Sequence, residues 1–262
     1  MLRPIIYPYN LYSESARLLS FSLSDLKCKR VREKGNYSFQ VKNHMILNWG
    51  NPRIPKWWKE KNYIYRDNNI MLFCNNPESV AKAQNKHVAL ECMLNKVRIP
   101  SFTTFKDVAQ RWIKKDRVAV ARTLLRGCGG RGIYLVDNEN HLPDCALYTR
   151  YVKKSAEYRI HIFMGNVLHM QKKMLRNGSE GNNFQIRNYN NGWIFGSKNI
   201  AVPQDVVEQA LLAVKALNLD FGAVDVGWQE KSQKAFVYEV NTAPALEGTT
   251  LDLYSQQVRR LL

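Results

Sequence analysis

The stretch that decides the fold lies near the carboxyl terminus, where residues 219–248 read LDFGAVDVGWQEKSQKAFVYEVNTAPALEG. Two apolar runs flank a polar turn, and this pattern predicts an antiparallel hairpin. Glu239 and Asn241 are two residues apart in one strand and share a face, while Asp225 lies on the partner strand. Two carboxylates and an amide oxygen are hard ligands, which suit Mg²⁺. The hairpin is therefore a candidate metal site, the alternative being a polar cross-strand pair that faces solvent.

A glycine-rich segment upstream, VARTLLRGCGGRGI (120–133), is the second chemical motif. Gly127, Gly129 and Gly132 match G-x-G-x-x-G, but β-branched and aromatic residues follow, so we expect a strand where a dinucleotide-binding loop needs a helix. Such a hairpin can fold over phosphates, because glycines let backbone N–H groups approach anionic oxygens. An ordinary flexible hairpin is the alternative. An Asp-Phe-Gly triplet at 220–222 resembles a kinase motif, but the sequence has no His-Arg-Asp loop.

Apolar patterning predicts α/β organisation at the amino-terminal end, with a partly parallel sheet, and α+β organisation at the carboxyl-terminal end. Strands are predicted at 4–9, 28–31, 45–50, 70–74, 117–125, 133–136, 146–152, 158–165 and 166–175, in addition to the hairpin. Helices are predicted at 12–24, 78–96, 106–115, 205–219 and 251–262.

The charge balance favours an anionic ligand or partner. The 262 residues include 39 Lys and Arg against 22 Asp and Glu, a formal net charge of +17, with an ordinary 45% of hydrophobic residues. This composition excludes an acidic disordered protein. Residues 1–85 hold 14 basic and 6 acidic side chains, and residues 86–262 hold 25 and 16, so the first third is the more basic. A solvated basic face and an electrostatic footprint for a polyanion both explain that excess.

Cysteine usage and hydropathy indicate a cytoplasmic protein with no membrane partner. Five cysteines, with no two within three residues, fit neither a disulfide framework nor a Cys-x-x-Cys metal site. The amino-terminal MLRPIIYPYN lacks the apolar run of a signal peptide. No apolar run approaches the roughly 20 residues that span a bilayer.

These segments together resemble the ATP-grasp superfamily over about residues 76–262. The matching pieces, in chain order, are the opening helix (85–100), the phosphate-covering loop (120–133), the adenine hinge LYTRYV (147–152), the strand AEYRIHIF (156–163), the strand LDFGAVDVG (219–227) and the metal-binding strand with its loop VYEVNTAPALEG (237–248). The resemblance implies an ATP-grasp fold with a small α/β preceding domain at 1–75. It further implies a first subdomain with the glycine-rich flap at 76–150 and a second with the metal site at 151–262.

Within that superfamily the sequence is most similar to ribosomal-protein glutamate ligases, glutathione synthetases and D-alanine–D-alanine ligases, and to compact bacteriophage-encoded members. The resemblance implies an ATP- and Mg²⁺-dependent ligase for amino-acid-like carboxylate and amine substrates. ATP converts the carboxylate to an acyl phosphate, which the amine attacks. This chemistry needs positioning and charge neutralisation more than a covalent nucleophile, and no Ser/His/Asp or Cys/His set stands out in the sequence.

The resemblance also implies roles for single residues. Mg²⁺ is expected at Asp225, Glu239 and Asn241. The nucleotide is expected at Lys86, Arg122, Gly127, Gly129, Gly130, Gly132, Thr149, Arg150, Tyr151, Glu157 and Lys173, with Glu157 on the ribose. Arg122 stands where the family usually has lysine, and Arg150 where an acidic residue is common. Catalytic contacts to phosphates or the acyl phosphate are expected from Arg159, Lys172 and Arg187, with Lys173 as an alternative to Lys172 and with Asn188 or Asn190 assisting. The acceptor is expected at Glu247, Gly248, Thr249 and Thr250.

Two other functions stay open at this stage. The basic first third motivates a ligase that joins an amino acid to a nucleic-acid base, or more generally one that uses an acidic macromolecular acceptor such as nucleic acid or an acidic peptide. A non-catalytic nucleotide or polyanion binder is the alternative from another class. The intact set of Asp225, Glu239 and Asn241 argues against the non-catalytic protein.

Overall fold

Three sheets organise the chain in the computed structural model, which describes residues 3–34, 44–55, 71–127, 131–178 and 184–262. They lie within residues 3–74, 102–150 and 156–241. This mixed α/β and α+β organisation confirms the fold class expected from the sequence. The domain boundaries at residues 75 and 150 stay predictions.

The first sheet is parallel throughout its described pairings. Its strands are β1 (Arg3–Pro8), β2 (Lys29–Arg30), β3 (His44–Trp49) and β4 (Met71–Cys74), in the order β2–β1–β3–β4. Helix α1 (Glu14–Ser22) connects β1 to β2. Strands β1 and β3 are buried along nearly their whole length, as central strands of parallel sheets are. Since β2 and β3 flank β1 on opposite sides, the carboxyl ends of β1 and β3 form a topological switch point.

The single helix predicted over 78–96 is wrong, because the structure has two helices there. Helix α2 (Pro77–Gln84) ends before Asn85, and helix α3 (Lys86–Met93) begins after it. The backbone of Asn85 is extended, with φ −89° and ψ 109°, and its side-chain oxygen accepts hydrogen bonds from the N–H groups of His87 and Val88. Asparagine favours such a cap over a helix interior. The apolar period runs across the break, so periodicity alone did not reveal it.

A small antiparallel sheet follows. Its strands are β5 (Phe102–Thr103), β6 (Ala119–Arg122), β7 (Ile133–Val136) and β8 (Leu147–Arg150), in the order β5–β8–β6–β7, with helix α4 (Lys106–Ile113) packed beside them. Strands β6 and β7 pair in antiparallel fashion, which confirms the predicted strand–loop–strand hairpin around the glycines. Gly129 and Gly130 of the loop lie outside the described residues.

The third sheet is the largest. It contains β9 (Ala156–Phe163), β10 (Asn166–Leu175), β11 (Trp193–Gly196), β12 (Phe221–Gln229) and β13 (Lys234–Asn241), in the antiparallel order β11–β10–β9–β12–β13. The predicted hairpin of β12 and β13 is confirmed. Helix α5 (Gln204–Ala216) follows β11, and helix α6 (Thr249–Arg260) follows β13. Strand β11 was not predicted from the sequence.

The alternation of side chains along the strands gives this sheet one apolar face and one charged face. Ile160, Ile162, Val224 and Val226 belong to the core cluster that also contains the buried side of α5. The intervening residues of the same strands, Glu157, Arg159 and Asp225 among them, face the other side. The helix therefore covers the apolar face, and the charged face is left for a ligand.

Asn75, which directly follows β4, joins the parallel sheet to β12 through hydrogen bonds. It is fully buried and has a positive φ of 62°. Its side-chain Nδ2 donates to the carbonyl of Phe221 at 2.8 Å, and its Oδ1 accepts from the N–H groups of Asp220 at 2.7 Å and Phe221 at 3.1 Å. Trp49 also stacks on Phe221, with ring centroids 5.4 Å apart. Asparagine tolerates this left-handed backbone, so one residue satisfies both the turn and three buried backbone groups.

Two further observations bear on the compartment predictions. Within the described residues, no helix is long and apolar enough to cross a bilayer. Cys28, Cys74, Cys92 and Cys145 are free thiols, and Cys128 lies outside the described residues. Cytoplasmic localisation stays a prediction.

Asn75→Gly is expected to lower the free energy of unfolding by about 2–4 kcal/mol, because buried backbone groups at the start of β12 lose their partners while the positive φ stays permitted. Asn95→Gly is the matched control, since Asn95 has the same φ of 62° but is exposed, and it should change stability by less than about 0.5 kcal/mol. Urea denaturation measures both. Equal decreases in the free energy of unfolding for the two variants would show that the hydrogen bonds of Asn75 to the start of β12 do not stabilise the fold.

Candidate active site

A cavity of about 700 Å³ opens between the small antiparallel sheet and the charged face of the large sheet. Its wall on the small sheet is apolar and includes Val120, Ile133 and Leu135. Its floor on the large sheet is polar and charged, and includes Glu157, Arg159, Gln171, Lys173, Asp225 and Glu239. An apolar wall opposite a small set of convergent polar groups is typical of a ligand site.

Arg159 and Asp225 form the centre of the floor. They face each other on β9 and β12, and the guanidinium binds both carboxylate oxygens, with Nε–Oδ1 at 2.7 Å and Nη2–Oδ2 at 2.8 Å. Burial raises the pKa of Asp225, but the guanidinium outweighs burial and holds that pKa below its ordinary value. Burial likewise lowers the pKa of Arg159, and the carboxylate beside it raises that pKa above the ordinary value. Both side chains therefore stay charged inside the cavity.

Glu239 extends this charge array onto the next strand. It lies directly opposite Asp225 on β13, and Lys86 Nζ lies 3.2 Å from its Oε2. The same ammonium donates to the carbonyl of Gly127 at 3.1 Å, which ties the start of the glycine loop to the cavity floor. Arg122 at the end of β6 is close by. Burial lowers its pKa, and the nearby Glu239 carboxylate opposes that effect.

Glu157 is held between two lysines at the opposite end of the floor. Lys173 Nζ donates to its Oε1, and Lys154 Nζ lies 3.4 Å from its Oε2. Burial lowers the pKa of Lys154, with the Glu157 carboxylate opposing the shift. The floor of the cavity therefore holds three carboxylates, each in contact with at least one cation.

The residues predicted to bind the metal carry suitable donor atoms. Asp225 and Glu239 are cross-strand neighbours, and Asn241 follows two residues later on β13. The Asn241 side-chain oxygen accepts from the N–H of Ala243 at 2.9 Å, which leaves it a second lone pair. Among the described residues, no group of three or more His, Cys, Asp or Glu could hold a metal, so a cation here would rely on two carboxylates and this amide. These hard oxygens fit Mg²⁺, which would share the carboxylates with their cationic partners.

Comparison with known proteins places this architecture. No family model and no curated protein matches the sequence. Among solved structures, the fold is similar to a RiPP-associated ATP-grasp ligase from Chryseobacterium gregarium in complex with ADP and a leader and core peptide, with a TM-score of 0.65, 14% identity, and coverage of 100% of this chain and 98% of that one. It is also similar to D-alanine–D-alanine ligase from Bacillus anthracis, with a TM-score of 0.63, 15% identity, and coverage of 100% and 93%.

A third neighbour is the ATP-grasp ligase PsnB complexed with minimal precursor, Mg and ADP, with a TM-score of 0.65, 9% identity, and coverage of 98% and 96%. The chain has the ATP-grasp fold. At these identities the likeness extends to the fold alone, and the roles of the site residues stay predictions.

Most of the residues that the ATP-grasp resemblance selected for the nucleotide meet in the cavity. Those that line it are Lys86, Arg122, Thr149, Arg150, Tyr151, Glu157 and Lys173. Two backbone donors of the hinge are already engaged, because the N–H of Arg150 donates to Ser101 O and that of Tyr151 to Val118 O, each at 2.8 Å. A base would therefore contact the hinge through other groups. Gly132 has a φ of +69°, and a Cβ there would lie 2.5 Å from Thr123 Oγ1.

Lys172 needs a correction, because it does not line the cavity. It pairs with Tyr158 across β10 and β9, and its ammonium lies 5.8 Å from the centroid of the Tyr158 ring. Tyr158 belongs to the core cluster with α5, so this position is on the helix-covered face of the sheet. The alternation of β10 instead presents Lys173 and Gln171 to the cavity. A direct catalytic role for Lys172 therefore has no geometric support.

Arg187 does line the cavity, and its guanidinium is held by backbone carbonyls and an aromatic ring. Its Nε donates to Phe184 O and its Nη2 to Ser155 O, each at 3.2 Å, and its guanidinium lies 4.6 Å from the centroid of the Trp193 ring. Its neighbour Asn188 also lines the cavity, whereas Asn190 is exposed.

The predicted acceptor loop reaches the cavity through Glu247 and Thr250. Gly248 and Thr249 complete the turn into α6, and Gly248 has a positive φ of 46°. Behind Thr250, His169 Nδ1 lies 2.9 Å from the threonine hydroxyl, and His161 contacts Gln171 Oε1 at 3.1 Å. Both histidines thus pack under the loop as structural groups.

Lys154 and Tyr238 are among the cavity residues that sequence reasoning missed. The Lys154 ammonium lies 5.6 Å and 5.4 Å from the ring centroids of Tyr151 and Tyr238, and all three line the cavity. The Tyr238 ring occupies space that only a glycine at position 227 leaves open, since a Cβ there would lie 2.0 Å from its hydroxyl. Lys154 follows an identical residue, Lys153, in a loop without periodicity, so no sequence signal separates them. The close approach of Tyr238 to Gly227 depends on the register of β12 and β13.

His161 generates a pH-dependence of stability. Burial lowers its pKa from 6.5 to about 4, so the unfolded chain takes up a proton near pH 6.5 and the folded chain near pH 4. Lowering the pH through this window therefore favours unfolding, by about 3 kcal/mol in total. Urea denaturation from pH 7 to 4 should show a shallower dependence for His161→Gln than for the wild type. His141→Gln, at an exposed position, is the control and should keep the wild-type slope. Identical slopes for all three proteins would refute the assignment.

Proposed function

We propose that this protein is an ATP- and Mg²⁺-dependent ligase that joins a carboxylate to an amine through an acyl phosphate, with release of ADP. The observation that carries the proposal is the pair of cross-strand carboxylates, Asp225 and Glu239, inside a ring of cations in one cavity of an ATP-grasp fold. The cations of that ring are Lys86, Arg122, Arg150, Lys154, Arg159, Lys173 and Arg187.

This arrangement matches a triphosphate better than a neutral ligand. The seven cations that line the cavity exceed its four carboxylates, Glu157, Asp225, Glu239 and Glu247, so the cavity has an excess of positive charge in a partly desolvated place. Bound at Asp225, Glu239 and Asn241, Mg²⁺ would supply further charge neutralisation between phosphate groups. The apolar wall of Val120, Ile133 and Leu135, together with the Tyr151 hinge, offers a surface for an adenine ring.

The reaction follows from these contacts. The donor carboxylate attacks the terminal phosphorus, ADP leaves, and the amine then displaces phosphate from the acyl carbon. The chain's own groups hold the phosphates and neutralise the charge that develops on the departing ADP. Lys86 contacts both Glu239 and the carbonyl of Gly127, so it would couple the start of the glycine loop to a carboxylate that would bind the metal.

The neighbouring structures support this chemistry by analogy. The Chryseobacterium enzyme is complexed with ADP and PsnB with Mg and ADP, and both are described as ATP-grasp ligases. The leader and core peptide of the first complex and the minimal precursor of the second motivate a substrate screen that includes peptides carrying a carboxylate donor or an amine acceptor.

The proposed reaction predicts ADP release that depends on an added amino acid or amine, in a screen with ATP and Mg²⁺. Glu239→Gln should lower that turnover by about 100-fold, because the metal loses a charged ligand. Glu208→Gln, on the exposed side of α5, is the matched control and should keep the activity. Unchanged turnover in Glu239→Gln would refute the metal assignment. Nucleotide binding without ADP release across a broad panel would refute the ligase and support the non-catalytic binder.

The two adjacent lysines of β10 provide a second test. Lys173→Met should weaken binding of a non-hydrolysable ATP analogue by at least about tenfold, because it removes a cavity cation worth about 1.4 kcal/mol or more. Lys172→Met should leave the dissociation constant within about twofold, since that side chain lies over Tyr158. Isothermal titration calorimetry measures both, and thermal unfolding verifies that each variant folds. The reverse order of effects would show that Lys172 is the nucleotide residue.

A further inference from the structure

A group of exposed cations in the described part of the first third lies along one edge of the parallel sheet. Each described acidic residue of that third is in an ion pair, namely Glu14 with Arg17, Asp25 with Arg259, Glu33 with Arg53 and Glu78 with Lys82. By contrast, within the described part of the chain no carboxylate pairs with Lys27, Lys29, Arg30 or Lys34, all of them exposed. These four residues occupy the edge strand β2 and its flanks, and we call them the β2 cations.

Exposed aromatic rings accompany the β2 cations. The side chain of Tyr12 is 92% exposed and that of Tyr9 is 56% exposed. Both belong to the loop after β1, and Arg30 Nη1 donates to the carbonyl of Leu11 in that loop at 2.7 Å. Arginine and open tyrosine faces are therefore adjacent. Cations that follow a phosphate backbone and rings on which bases stack are the two components of single-strand recognition.

The helix that follows this loop contacts the acceptor loop. Ser15, in the first turn of α1, accepts a hydrogen bond at its Oγ from the N–H of Leu246 at 3.1 Å. Leu246 lies between Ala245 and Glu247, both of which line the cavity. The start of α1, which follows the loop of Tyr9 and Tyr12, thus contacts the acceptor loop.

We propose that this surface binds a single-stranded nucleic acid. An acidic peptide is the less favoured partner, because β2 is only two residues long and offers few backbone groups for an added strand. A duplex is less favoured because its bases are already stacked and cannot use Tyr9 or Tyr12. The surface goes beyond the proposed ligase activity, and its proximity to the acceptor loop would deliver a nucleic-acid-linked acceptor to that site.

The test is fluorescence anisotropy with labelled single-stranded oligonucleotides of mixed sequence, over a range of salt concentrations and without ATP. The triple variant Lys29→Gln, Arg30→Gln, Lys34→Gln should bind at least about tenfold more weakly, and the slope of log K against log salt should fall by about 2, since each lost phosphate contact contributes about 0.7. The control triple Lys114→Gln, Lys115→Gln, Arg117→Gln removes the same charge from exposed positions after α4 and should bind like the wild type. Tyr12→Ala should weaken binding by about tenfold with little change in the salt slope.

Three results would overturn the proposal. They are no binding by the wild type at low salt, equal losses for the two triple variants, and competition by poly-glutamate as effective as that by unlabelled oligonucleotide. The last result would assign the surface to an acidic peptide. Because the assay needs neither ATP nor turnover, these outcomes leave the ligase proposal untouched, and a failed ADP-release screen leaves this one untouched.

Discussion

The buried ion pair between Arg159 and Asp225 is the constraint around which the cavity is organised. The two residues oppose each other on the central strands β9 and β12, and leaving either one without its partner would cost several kcal/mol, typically about 3–5. A slip of one residue between these strands would turn one of the two charges toward the helix-covered core and separate it from its partner. The pair thus requires one register, and that register also presents Glu157, Lys173 and Glu239 to the cavity.

The parallel sheet contributes to the same site through three contacts. Asn75 satisfies the backbone at the start of β12, the strand that carries Asp225. Gly50, at the end of β3, packs so closely on Ala243 that an added Cβ would lie 2.8 Å from the alanine Cβ. The hydroxyl of Ser15 accepts from the N–H of Leu246 in the acceptor loop. The amino-terminal unit therefore shapes the loop that follows the metal-type residues, and its switch point at the ends of β1 and β3 faces that loop.

Two groups stand out among the cations that give the chain its net charge of +17. Lys86, Lys154, Arg159 and Lys173 of the cavity are largely shielded from solvent and paired with carboxylates, and their cost of desolvation is offset by those ion pairs or by a ligand. The β2 cations are exposed and have no carboxylate partner among the described residues. Of these two groups, the β2 cations are the ones free to attract a distant polyanion, because solvent-exposed charge steers association while buried pairs largely cancel at a distance.

The sequence by itself determined the chemistry of the site. The spacing of Glu239 and Asn241, the hairpin that brings Asp225 beside them, and a glycine loop between two strands follow from alternation and residue type, and the structure has each of these elements. Tertiary structure decided which of two residues adjacent in sequence faces the cavity. Lys173 lines the cavity and Lys172 does not because the pairing of β10 with β9, which includes a bulge between Val167 and His169, sets the parity of the strand. Tertiary structure also decided the helix break at Asn85, because the capping preference of asparagine competes there with a continuous apolar period. It decided the burial of Lys154 as well, because residues in a loop have no period from which the direction of a side chain follows.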